Sequence, residues 1–164
     1  MQDKNTTNQN EFTDIFDAPE KGRLMSLDLG TKKVGIAVSD ELQFTVRGVC
    51  TVKRQSWKKF SQVINSYLAD FDAKALVIGL PYNFVGTESE MSENARNIAR
   101  KFARSIEIPV YLHDERVSTY EARGNLWELG LNNKQVRQRL DSEAAAIILE
   151  DFIETRNMLK KRTR

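Results

Sequence analysis

Leu24-Met25-Ser26-Leu27-Asp28-Leu29-Gly30-Thr31-Lys32-Lys33-Val34-Gly35-Ile36-Ala37-Val38-Ser39-Asp40 decides how the chain folds. Leu24 to Leu29 is short, mostly apolar and followed by turn residues, the pattern of a buried strand. Gly30-Thr31-Lys32-Lys33 supplies a tight turn. A second strand follows, with Val34, Ile36 and Val38 on one face and Gly35, Ala37 and Ser39 on the other. The anomaly is Asp28. A carboxylate inside a central strand costs several kcal/mol unless a cation or hydrogen-bond donors meet it. Strand alternation puts it on the face of Ser26, opposite Met25, Leu27 and Leu29. Asp28 therefore either meets a metal or caps the adjacent turn.

The composition narrows the classes. A chain of 164 residues suits one domain with a single core. Apolar residues at 40% and charged residues at 29% are the balance of a globular protein. No apolar run approaches the ~20 residues of a membrane helix. The absence of a basic-then-apolar opening points to the cytoplasm. One cysteine, Cys50, allows neither an internal disulfide nor a thiolate metal site, and reads as a small core residue. One histidine, His113, excludes a multi-histidine metal cage. The net charge of +2 is unevenly spread, because residues 1–22 carry five acids against two lysines. The remainder is mildly basic, which suits a polyanionic partner.

Along the chain, residues 1–22 read as a polar, disordered leader, in which Phe12, Ile15 and Phe16 suffice for one helical turn against the body. Phe44 to Val52 reads as a third strand with a bulge at Gly48. Ser56 opens a helix whose Trp57, Phe60, Ile64, Tyr67, Leu68 and Phe71 share one face. Ala75 to Leu80 is a strand buried on both faces. Thr87 and Glu90 form a capping box before a helix whose buried stripe is Met91, Ala95, Ile98, Ala99 and Phe102. Arg96, Arg100 and Arg104 lie on its outer side. Pro109 to Leu112 is a strand, Ser118 and Glu121 cap a helix ending near Gly130, and Leu131 to Leu140 is a basic connector. Asp141-Ser142 opens the last helix, with Ala144, Ala145, Ile148, Leu149 and Phe152 inward, and residues 157–164 form a basic tail. A meander followed by helix–strand alternation implies an α/β fold: a five-stranded mixed sheet with helices on both faces, spanning residues 23–156.

Ligands gather beyond the carboxyl ends of parallel strands in such sheets. Asp28 lies near the end of the first strand, Glu115 just past Pro109–Leu112, and Asp141 at the start of the last helix. Each has a plain reading: a turn cap, a partner for Arg116, and a helix N-cap. Three acids at one edge, without a catalytic cysteine or histidine pair, suit Mg²⁺ or Mn²⁺, one ion or two, because hard cations take oxygen ligands.

Four ordered motifs carry a resemblance over about residues 23–153. They are Asp28-Leu29-Gly30 with Gly35-Ile36-Ala37, then Gly79-Leu80-Pro81 with Gly86-Thr87-Glu88. Asp114-Glu115-Arg116 with Ser118-Thr119 and Glu121-Ala122 follows, and finally Asp141 with Ala144-Ala145 and Ile147-Ile148-Leu149. Together they resemble the YqgF family, whose members are described as pre-16S rRNA nucleases or Holliday-junction-resolvase-like proteins of ribonuclease H-like fold. The resemblance implies that Asp28, Glu115 and Asp141 are metal-binding catalytic acids of an endonuclease. Precursor rRNA or branched DNA would be the substrate. Lys32, Lys33, Arg116 and Arg137 are the candidates for holding its phosphates. Association with the ribosome fits the same reading, as does a monomer or weak homodimer. Two alternatives remain: a non-catalytic nucleic-acid- or ribosome-binding module, and an ATP-binding domain of the actin and Hsp70-like kind, which Asp28-Leu29-Gly30-Thr31 also resembles.

Overall fold

The computed structural model describes residues 12–81, 90–114 and 133–163, with only the backbone course described for 114 and 133–141. Five strands form one mixed sheet: β1 (Leu24–Leu29), β2 (Lys33–Ser39), β3 (Val46–Lys53), β4 (Ala75–Leu80) and β5 (Val110–Asp114). Three α-helices accompany them among the described residues: α1 (Trp57–Asp70), α2 (Glu90–Ser105) and α3 (Asn133–Arg162). The strand order is β3-β2-β1-β4-β5, so the strand bearing Asp28 is central, as its double-sided burial requires. β1–β2 and β2–β3 pair antiparallel, while β1–β4 and β4–β5 pair parallel.

The two faces of the sheet differ in side-chain size, and the difference decides what packs where. Met25, Leu27, Leu29, Val34, Ile36, Leu76 and Ile78 form one face and bury Phe60, Ile64 and Leu68 of α1 with Ala95, Ala99 and Phe102 of α2. Each such large side chain contributes about 1.5–3 kcal/mol on burial. Trp57 and Phe102 meet edge to face at 4.8 Å within this core. The other face carries Leu24, Ser26, Ala37, Ala75, Val77 and Tyr111, most of them small, and receives α3 through Ala145, Ala146, Ile148, Leu149 and Phe152. Small residues on both partners let this helix lie close to the strands.

Several sequence expectations change here. β3 begins at Val46 instead of Phe44, which is 83% exposed. The preceding turn is shaped by the Asp40 carboxylate, which accepts the backbone N–H groups of Leu42 and Thr45. Gln43 takes a left-handed φ of 59° in that turn. The bulge lies between Ile36 and Ala37 of β2, whose partners are Cys50 and Gly48, so Val49 is the extra residue. Cys50 is half-buried, with its Sγ 3.2 Å from the Tyr67 hydroxyl. In α2 Met91 is exposed and Ser92 takes the buried position. The Thr87 capping box and the helix opened by Ser118 lie outside the described residues.

The largest correction concerns α3. It starts at Asn133, so most of the expected basic connector is helical and Asp141 stands well inside the helix. The physical reason is composition: residues 133–162 contain no Gly or Pro, and Lys, Gln, Arg, Leu and Ala favour helix throughout. The helix continues to Arg162, and Lys160 forms an ion pair with Glu20 at 2.6 Å. Residues 12–22 of the expected leader pack against the domain, with the helical turn that Phe12, Ile15 and Phe16 allow. Ile15–Asp17 is a 3-10 turn capped by Asp14, and Ala18 is buried. Arg156 secures this segment, its Nη1 donating to the Pro19 carbonyl and the Gln43 Oε1 at 2.6 Å each. Burial pushes its guanidinium pKa down from the ordinary value, yet an arginine keeps its charge.

Candidate active site

Asp28 is the fifth residue of β1 and is 9% exposed. On β2 its registered partner is Gly35. On β4 the pairing runs to Leu27 with Ile78, so the next residue, Gly79, stands on its other side. Neither neighbour on its face of the sheet has a side chain. Its two lateral neighbours in the sheet are therefore glycines.

The turn after Asp28 is tightly specified. Gly30 N–H donates to the Lys33 carbonyl at 2.9 Å, and a Cβ on Gly30 would sit 2.7 Å from that same oxygen. No other residue fits without moving the turn. Arg54 braces it from just past the end of β3: its backbone N–H donates to the Lys32 carbonyl at 2.9 Å, and its Nη1 to the Gly30 carbonyl at 3.2 Å. Its Nη2 donates to Asn94 Oδ1, tying the same turn to the first part of α2. Sequence reasoning missed this brace, since nothing local distinguishes Arg54 from the basic residues around it.

α3 is positioned by one buried hydrogen bond. Ser26 Oγ donates to the Ala145 carbonyl at 2.6 Å. Leu24, at the start of β1, packs with Ile148, Leu149 and Phe152. The helix therefore descends β1 in the opposite direction, its earlier residues toward the end that bears Asp28. Position 141 is one turn ahead of Ala145 on the same helical face, about 6 Å along the axis. Asp28 is two residues beyond Ser26, about 6.6 Å along the strand. Position 141 thus precedes, by one turn, the residue whose carbonyl Ser26 holds. Asp141 is the ninth residue of its helix, which removes the N-cap reading.

β4 and β5 end together, with Leu80 in register with Asp114. Glu115 and Arg116 come next in sequence and lie outside the described residues. Arg137 is one turn before Asp141 on the backbone of α3. Lys32 and Lys33 are exposed at the turn. His113, one residue before β5 ends, was unassigned by sequence; its Nε2 is 2.5 Å from Asp151 Oδ2, and its ring stands edge-on to Phe152 at 5.6 Å. That pair fastens the end of β5 to α3. Among the described residues no three His, Cys, Asp or Glu side chains form a metal-holding group. Glu115 and the side chain of Asp141 are not among those residues.

The profile of the RuvX family, described as Holliday junction resolvase, matches residues 22–155. The chain belongs to the RuvX family. This is the family that the four sequence motifs resemble under the name YqgF. A relative from Anaeromyxobacter sp. (strain K) is 37% identical over 134 residues, covering 82% of this chain and 98% of its own. One from Klebsiella pneumoniae (strain 342) is 37% identical over 133 residues, covering 81% and 96%. Both carry the provisional name pre-16S rRNA nuclease. RuvC of Thermus thermophilus in complex with a Holliday junction superposes with a TM-score of 0.51 at 18% identity, over 83% of this chain and 96% of that one. The fowlpox virus Holliday junction resolvase gives 0.50 at 13% identity, over 81% and 99%. The RuvX chain thus has the ribonuclease H-like fold expected from its sequence, and it is a member of a nuclease family. No helix among its described residues is long and apolar enough to cross a membrane.

Proposed function

We propose that this RuvX protein is a divalent-metal-dependent endonuclease that hydrolyses phosphodiester bonds in the 5′-end maturation of precursor 16S rRNA, in the cytoplasm. Asp28, Glu115 and Asp141 are its metal-holding acids. The observation that carries the reading is Asp28 itself: a nearly buried carboxylate on the central strand, flanked by Gly35 and Gly79, beside the end where β4 and β5 stop. Its oxygens are the hard donors that Mg²⁺ or Mn²⁺ takes. The relatives' provisional name supports RNA as the substrate.

When bound, one or two such ions supply the Lewis acidity that phosphodiester hydrolysis requires. The chain's own residues do the rest. Asp28 holds fixed negative charge at the sheet edge, and the Gly30–Lys33 turn and Arg54 fix its setting. Lys32, Lys33, Arg116 and Arg137 hold the phosphate backbone against that edge. The family description supports a second substrate, the four-way DNA junction.

Purified protein incubated with Mg²⁺, end-labelled precursor 16S rRNA fragments and four-way junctions tests the proposal. The expected result is endonucleolytic cutting of the RNA at rates exceeding those on the junction. Faster cutting of the junction would transfer the activity to branched DNA. Tight binding of either substrate without cutting would make the protein a non-catalytic module.

A further inference from the structure

Lys33 and Lys53 are registered partners on β2 and β3, directly opposite each other across the antiparallel ladder. Both are exposed, and neither has an acidic partner among the described residues. Like charges in directly opposed positions destabilise a sheet. Among the described residues no acid offsets this repulsion. A polyanion laid across the two ammonium groups converts the repulsion into attraction.

Register gives the location. Asp28 pairs with Gly35, Gly35 with Thr51, and Lys33 with Lys53. Side chains alternate along each strand, so Lys33 and Lys53 stand on the same face of the sheet as Asp28. From strand spacing and rise, the Lys33 Cα is about 8 Å from that of Asp28 and the Lys53 Cα about 12 Å. With nucleotides rising about 3.4 Å each along a strand, those distances span roughly two to four nucleotides. The next residue in the chain, Arg54, is already committed to Gly30 and Asn94. Lys53, by contrast, has no side-chain partner among the described residues.

We propose that Lys53, paired with Lys33, is a phosphate-backbone contact of the substrate strand, a few nucleotides from the scissile bond. The proposal rests on the nuclease reading above, and it extends the binding surface from the β1–β2 turn onto the edge strand β3.

The experiment compares wild type, Lys53→Gln and Lys53→Glu. Fluorescence anisotropy measures binding of a labelled single-stranded precursor rRNA fragment in EDTA across a salt titration. Thermal melts of the free proteins and Mg²⁺-dependent cleavage run in parallel. Removing one phosphate contact should lower the salt slope of log affinity by about 0.7, and affinity several-fold at physiological salt. Lys53→Glu should bind more weakly still, yet melt at or above the wild-type temperature, because an opposite charge now faces Lys33. A merely structural lysine would not separate the two readouts in that way. An unchanged salt slope in Lys53→Gln, with wild type still cutting RNA, overturns this contact and leaves the nuclease reading standing. A wild type that neither binds nor cuts nucleic acid fails the nuclease reading and this contact together.

Discussion

Gly48→Val tests how closely α3 is seated beside the proposed site. Gly48 is in register with Ala37 next to the β3 bulge, and a Cβ there would lie 3.0 Å from both the carbonyl oxygen and the Oγ of Ser142. Its φ is not left-handed, so an L-residue can adopt it, and replacing glycine alone would gain about 0.4–1 kcal/mol through the unfolded chain. Sterics oppose that gain. Ordinary contact between such atoms is about 3.5 Å, so alanine demands roughly 0.5 Å of movement. The two further methyls of valine demand roughly twice that, against a helix backbone that cannot swing aside as a side chain would. Overpacking of this kind costs about 1–3 kcal/mol, which exceeds the gain, and a net loss near 1–2 kcal/mol lowers the melting temperature by roughly 2–8 °C in a chain of this size. Function should suffer more. Ser142 follows Asp141, and a displacement of about 1 Å in a catalytic group can cost on the order of 10²-fold. Thermal melts and single-turnover cleavage of the RNA substrate should show Gly48→Val folded, modestly destabilised and slowed about 10- to 100-fold, with Gly48→Ala between it and wild type. A valine variant with wild-type melting temperature and rate would refute the seating of α3 on β3.

Arg54→Ala removes the donors to Gly30 and Asn94, and should lower stability by about 1–2 kcal/mol while slowing cleavage. Arg54→Lys should rescue little, because one ammonium cannot serve both acceptors; a lysine variant with full rate and melting temperature would contradict the brace. Asp40 gives a pH test: the N–H of Thr45, with that of Leu42, holds its exposed carboxyl below the usual carboxylate value. For a depressed acid the stabilisation is present above the ordinary pKa of about 3.9 and is lost as pH falls through the lowered folded value. The melting difference between wild type and Asp40→Asn should therefore be full near pH 7 and shrink below about pH 4, and an equal difference at both would disprove the turn-capping role.

Much of this was legible in the sequence because the signals were local. The Gly30 turn joins two short apolar runs, and the run Ala75 to Leu80, apolar on both faces, can only be an interior strand. These fixed the central position of β1 and the mixed sheet. α3 begins ahead of Asp141-Ser142, itself a capping pattern, and only the absence of Gly or Pro over residues 133–140 argues for the earlier start. Met91 fits the apolar stripe of α2 by spacing, yet lies in the first turn of the helix and is exposed, with Ser92 buried beside it. The candidate acids stand out in the sequence as local anomalies, whereas the contacts that hold the turn and α3 do not. Arg54 with Gly30, Ser26 with Ala145 and His113 with Asp151 join residues 24, 119 and 38 positions apart, and no local pattern marks such pairs.

Asp28 is the proposed metal-holding carboxylate on which nuclease activity depends. Asp28→Asn preserves shape and removes one charge, so the measurement is cleavage of the precursor rRNA fragment by wild type and Asp28→Asn in Mg²⁺, Mn²⁺ and EDTA. A folded variant should lose on the order of 10²-fold or more, and EDTA should abolish wild-type cutting until Mg²⁺ or Mn²⁺ is restored. Cleavage by Asp28→Asn at the wild-type rate, or wild-type cleavage that persists in EDTA, would contradict the account.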